Sequence, residues 1–304
     1  MRRYLAWSAP LLALILIVTG CSRDETKSGT PAEPTTATSA EQAENPLVAS
    51  AVKSYQAYAV DQTNQIVALT KVFTDAVRAG NLAAAQEAYA PSRVPWERIE
   101  PLAGLVEEID GKVDARVDDF AGVDDPTFTG WHRLEYLLFA LNTTEGGAPF
   151  ADQLDKDVAT LNQQMPTLPI KPVDVAVGAA ELIEEVSEGK ITGEEDRYSK
   201  TDLWDFDGNL QGSQDAIQRL APALREANAE LLGKIEKGFS DLYETLAPLR
   251  RGDGWVLYCT ENDPYPSPRC PAVTVDKKTV DTLKAQLASL SENVSQVAGV
   301  LGLK

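Results

Sequence analysis

PLVASAVKSYQAYAVDQTNQIVALTKVFTDAVR, residues 46–78, decides the fold class. Val52, Tyr55, Ala59, Ile66, Leu69, Val72, Phe73 and Val77 recur at three- and four-residue steps, the period of a helix that buries one stripe. Pro46 begins the run and Gly80-Asn81 stops it. Downstream the same period predicts a short helix over 82–89 and another over 96–109, opened by Pro95 in a first turn that tolerates proline. A further helix spans 126–141 with Phe128, Trp131, Leu134, Leu138 and Leu141 as its apolar stripe. Residues 148–165, 172–188, 201–249 and 276–302 continue the pattern, with 201–249 expected to bend near Pro222. Strand candidates are few; Trp255-Val256-Leu257-Tyr258 is the best and is short. The expectation is an all-α fold of two fused up-and-down four-helix bundles, without a sequence repeat to mark a duplication.

Composition narrows the function classes. The 304 residues carry 46 acidic and 28 basic side chains, a formal charge of −18 that opposes binding to a phosphate backbone. Hydrophobic residues at 43% and charged residues at 24% exclude bulk disorder. One histidine cannot build a three-histidine zinc site, and three cysteines cannot build a four-thiolate one. Any imidazole chemistry passes through His132.

The N-terminus has the parts of an export signal: Arg2-Arg3, the short apolar run Leu11-Leu12-Ala13-Leu14-Ile15-Leu16-Ile17-Val18, and small residues before a cysteine. Val18-Thr19-Gly20-Cys21 matches the bacterial lipobox, which implies cleavage before Cys21 and diacylglycerol on its sulfur. Residues 1–20 are thus expected to be a lipoprotein signal peptide. Its removal takes away two arginines and no acid, moving the side-chain charge from −18 to −20. The Ser-, Thr-, Pro- and Glu-rich residues 21–45 read as the lipidated cysteine and a flexible tether, and 46–304 as the folded domain. The expected location is the outer face of the cell membrane, in the periplasm or cell envelope. In an exported protein, Cys259 and Cys270 around a proline-rich loop are most simply a disulfide; a redox or metal-binding pair is the sharper reading.

Three clusters could carry chemistry. In Gly130-Trp131-His132-Arg133-Leu134-Glu135, His132 and Glu135 lie three apart and share a helix face, so they can chelate one ion or simply hydrogen-bond. Glu97 and Glu100 repeat the spacing, although acids in a first turn also complement the helix dipole. Thr201 and Asp202 look like an N-cap and a first-turn acid, while Asp205 sits between Trp204 and Phe206 in a segment expected to be partly buried.

Together, Gly-x-His-x-x-Glu, the upstream Pro91-Ser92-Arg93-Val94-Pro95-Trp96-Glu97-Arg98-Ile99-Glu100-Pro101 and the string from Gly189 to Phe206 resemble the imelysin-like family, in its EfeO/EfeM branch of bacterial iron-uptake proteins. The resemblance covers about 46–304. It implies a pair of four-helix bundles and a metal site in a cleft between helices, centred on His132 and Glu135. It adds Glu97, Glu100, Asp114 and an aspartate of the Asp202/Asp205 pair as acidic companions. The EfeO form carries a cupredoxin-like domain ahead of this region, where the present sequence reads as a tether, so the single-domain EfeM form is the nearer likeness. The Cys259–Cys270 loop is not part of the resemblance.

The resemblance implies a non-enzymatic role: capture of iron outside the membrane and delivery to an iron permease, beside a haem peroxidase of the same system. Carboxylates with one imidazole suit iron, with zinc or another divalent cation as the alternative. A cation-dependent binder of acidic polysaccharide is a rival, although the net charge opposes an acidic glycan unless a cation bridges the two. A metallopeptidase is another, but the usual zinc helix needs two histidines and the chain has one.

Overall fold

The computed structural model describes residues 45–304. The expected signal peptide, the lipidation site Cys21 and the tether up to residue 44 lie outside the described residues. The chain is all-α. Its helices are α1 Pro46–Arg78, α2 Leu82–Glu97, α3 Glu107–Val113, α4 Gly130–Glu135, α5 Ala148–Gln164, α6 Pro172–Glu188, α7 Asp202–Leu246, α8 Lys277–Val294 and α9 Val297–Leu301. Among the described residues no helix is long and apolar enough to cross a membrane.

Asn45 caps α1 by accepting a hydrogen bond from Leu47 N at 2.9 Å. The buried stripe runs through Val48, Ala51, Tyr55, Ala59, Gln62, Ile66, Thr70, Phe73 and Val77. It leaves out three members of the expected stripe: Val72 is 61% exposed, Leu69 sits at the margin and Val52 is only partly buried. Buried Thr74, on the same helix, finds a partner inside, its Oγ1 donating to Asp155 Oδ1 of α5 at 2.8 Å, whereas the hydroxyls of Tyr55 and Thr70 are buried without one.

The long helix α7 is two antiparallel arms. Asn228, with φ −158° and ψ 83°, breaks it and caps the second arm by accepting from Leu231 N at 3.0 Å. Tyr243 OH then donates to Gln214 Oε1 at 3.1 Å, and Arg250 pairs with Asp207 at 2.8 Å. In a continuous helix Gln214 and Tyr243 would stand about 43 Å apart. The expected bend at Pro222 is therefore corrected to a full reversal at Asn228. One bundle comprises α1, α2, α5 and α4; the other comprises α6, both arms of α7, and α8, with α2 and α1 packed on α7.

Other boundaries also differ from the periodic reading. Helix α2 runs through Pro91 and Pro95 to Glu97, because burial of Tyr89, Arg93, Trp96 and Glu97 on one face outweighs the missing N–H groups. The expected helix 96–109 is instead a 3₁₀ segment Glu100–Leu105 followed by α3. The expected helix 126–141 begins only at Gly130 and widens after Glu135 into a π turn, Tyr136–Ala140. The expected strand shrinks to β2 Gly254–Trp255, paired with β1 Arg250–Arg251. Beyond it, Tyr258 N donates to Lys200 O at 2.8 Å rather than to a ladder.

Candidate metal centre

Gly130 sets the position of the central pair. Its φ is +80°, and a Cβ there would lie 2.3 Å from Val113 O and 2.6 Å from Lys112 O. This close approach seats the start of α4 against the end of α3 and brings His132 beside Asp114. His132 Nδ1 lies 3.2 Å from Glu135 Oε2. Nε2 lies 3.6 Å from both Asp114 Oδ1 and Glu195 Oε1. Each imidazole nitrogen thus belongs to its own three-donor group, Asp114–His132–Glu195 or His132–Glu135–Asp196, with donor atoms within 4.8 Å of one another. Glu135 is fixed from behind, its Oε1 accepting from Tyr198 N at 2.9 Å and Ser199 N at 2.7 Å. Asp196 Oδ1 accepts from Tyr89 OH at 2.8 Å.

Arg93, wholly buried, runs through the middle. Its Nη2 is 2.7 Å from Glu97 Oε1 and 2.8 Å from Glu195 Oε1, its Nη1 is 2.5 Å from Asp114 Oδ1, and its Nε is 3.3 Å from Asp205 Oδ1. Nη1 also stands 3.1 Å from His132 Nε2: a hydrogen bond when the ring is neutral, and two cations held by shared carboxylates when it is protonated. Buried Lys190 takes the next pair, 3.0 Å from Glu97 Oε2 and 2.8 Å from Glu100 Oε2, with Asn209 Nδ2 donating to both.

The structure therefore divides the expected residues. His132, Glu135 and Asp114 share the two donor groups. Glu97 and Glu100 face Lys190 rather than the imidazole, because Arg93 and Lys190 stand between. Asp205 meets Arg93, and Asp202 Oδ1 accepts from Asp196 N at 3.2 Å. The second oxygens of Asp202 and Asp205 are buried without a partner. Arg93, Lys190, Glu195 and Asp196 were not singled out from sequence. Arg93 had a signal, since four-residue spacing puts it on the face of Glu97. Glu194-Glu195-Asp196 reads as a solvated acidic run until Tyr89, Arg116 and Lys190 close over it.

Burial and charge set the protonation states. Burial, then the neighbouring Asp196 charge, pushes Asp202 and Asp205 well above the usual carboxylate range. Burial also opposes the charge on Glu195, but Lys190, Arg116, His132 and Arg93 outweigh it and hold its carboxyl well below that range. Burial and Arg93 depress the His132 imidazole; Glu135, Glu195 and Asp114 more than reverse this and raise it to about 9. Burial raises Glu100 in the same way. Beside these raised groups, five further carboxyl groups, Glu97, Asp114, Glu135, Glu195 and Asp196, face Arg93, Lys190, Arg116 and one imidazole. Hard oxygen donors with one imidazole, in cation deficit, fit a divalent or trivalent metal ion.

A family profile described as imelysin, peptidase M75, matches residues 51–297. The chain belongs to the imelysin family. Among its relatives are proteins called iron uptake system component EfeO, from Escherichia coli O157:H7 at 45% identity and from Escherichia coli K12 and Shigella flexneri at 44%. Each match covers 254 residues, 83% of this chain and 64% of the relative, so this imelysin chain spans just under two-thirds of the length of those relatives. The matched region takes in the whole His132 cluster.

Proposed function

We propose that this imelysin-family chain is an extracytoplasmic iron-binding component of an uptake system, which captures iron in the His132 cluster and delivers it to a membrane permease. One observation carries the reading: a buried set of carboxylates around a single imidazole, in excess over the cations that face it, with two three-donor groups meeting at His132. Iron is the cargo, and the naming of the relatives supports its choice over zinc or manganese. Anchoring through a lipid on Cys21 would keep the domain beside the permease, and a haem peroxidase of the same system is the further partner in this reading. A binding role fits better than peptide hydrolysis. His132 is 2% exposed and Glu135 fully buried, so a polypeptide could not reach them, whereas an ion needs only a small opening. Isothermal titration with iron on the wild type, His132→Ala and Glu135→Ala tests the reading. Loss of affinity in both variants is expected, and unchanged affinity in both would sink it.

A further inference from the structure

Three atoms of one donor group, Asp114 Oδ1, His132 Nε2 and Glu195 Oε1, point at a common space, and that space is taken. Arg93 Nη1 stands 2.5 Å from Asp114 Oδ1 and 3.1 Å from His132 Nε2, and Nη2 stands 2.8 Å from Glu195 Oε1. A metal ion bonded to those atoms and a guanidinium on the same atoms exclude each other, since oxygen and nitrogen ligands approach iron or zinc at about 2.0–2.2 Å. A second place for the arginine lies next to the first. Its Nε is already 3.3 Å from Asp205 Oδ1, and Asp205 Oδ2 is wholly buried with no partner. The rings of Trp131 and Tyr89 lie 5.9 and 6.0 Å from its Cζ, within cation–π range.

We propose that Arg93 is a built-in exchangeable cation: it holds the Asp114–His132–Glu195 group in the metal-free protein and gives it up to the incoming metal, moving onto Asp205. This inference rests on the iron-binding reading and specifies how the site loads and empties. Without the arginine, closely spaced carboxylates would repel one another in the metal-free state. With it, the metal must displace a bound competitor, so affinity is lowered by the fraction of time the site is taken. Return of the guanidinium helps to expel the ion when a partner offers it other ligands. Lysine could not do the same, because one ammonium cannot span Asp114, Glu195 and Glu97 as the planar fork does.

Two measurements test the exchange. Anaerobic calorimetry with ferrous iron alone, and in parallel with zinc alone, compares the full-length protein with Arg93→Gln and Arg93→Lys. The expected result is affinity about tenfold or more tighter in Arg93→Gln and intermediate in Arg93→Lys. If the wild type binds and Arg93→Gln binds no tighter, or more weakly, the exchange is wrong while the iron-binding reading stands. If neither the wild type nor the variants bind either metal, the iron-binding reading fails and takes this inference with it. The second measurement needs no variant to fold for its readout. In ¹⁵N spectra of the wild type, the Arg93 Nε–H resonance, assigned by its loss in Arg93→Lys or by through-bond correlation, should move in proportion to zinc added. A resonance that stays put at saturating zinc overturns the exchange.

Discussion

His132 is the residue on which pH acts. Its imidazole is raised from 6.5 to about 9 in the folded chain by Glu135, Glu195 and Asp114, against burial and Arg93. A raised base contributes stability that is fully present below the unfolded value and lost as pH climbs through the folded one, here between pH 6.5 and about 9. The shift corresponds to about 3 kcal/mol. Urea unfolding of the metal-free wild type and His132→Gln across that window should show the wild-type advantage shrinking by roughly that amount. A difference independent of pH would contradict the protonated imidazole. Gly130 is the other decisive single residue. Alanine there must hold φ +80° and would drive its Cβ into the Val113 and Lys112 carbonyls. The left-handed backbone alone costs roughly 1–3 kcal/mol, and relief by movement of α4 would pull His132 from Asp114. Gly130→Ala should therefore lower Tm and weaken metal binding together.

At the scale of elements, the disulfide loop holds the segment that backs the site. Cys259 and Cys270 are bonded, closing the loop. Beside it, the buried Lys200 ammonium lies 2.6 Å from Asp263 Oδ2, Tyr258 N donates to Lys200 O, and Tyr258 OH donates to Ile191 O at 2.9 Å. The held segment supplies Glu195 and Asp196 and the two N–H groups on Glu135. A closed loop of this size contributes about 3 kcal/mol. Reduction should speed amide exchange at Tyr198 and Ser199 before the bundle cores respond, measured by mass spectrometry; uniform protection through reduction would separate the loop from the site. Sequence made part of this visible. Helical period and the Gly-x-His-x-x-Glu spacing gave the fold class and the His132–Glu135 contact, because both are local. The reversal at Asn228 lies in the polar run Arg225-Glu226-Ala227-Asn228-Ala229-Glu230, where no glycine or proline marks a stop. Lys190, Glu195 and Asp196 join the site through contacts about 60–110 residues distant along the chain, which no window of sequence displays.

For the whole molecule, the donors are drawn from stretches far apart along the chain: α4 of one bundle, the end of α3, and the connection that enters the second bundle. Asp114 follows directly on α3 and His132 and Glu135 lie on α4, whereas Glu195 and Asp196 come from the segment between α6 and α7. The described residues 45–304 form one compact unit. An ion bonded to both sets ties α4 to the approach of α7, and the unfolded chain offers no comparable set of ligands. Metal should therefore stabilise the entire body rather than one bundle. At a free concentration of 100 Kd the linkage gives about 2.7 kcal/mol, or a rise in Tm of roughly 5–10 °C for a body of this size. Scanning calorimetry should show a single transition that moves upward with zinc and returns with chelator. His132→Ala removes the only residue common to both donor groups, so its transition should ignore the metal. Two transitions, with only the lower one moved by metal, would mean that the ion is held within one bundle and that the donors do not act as one site.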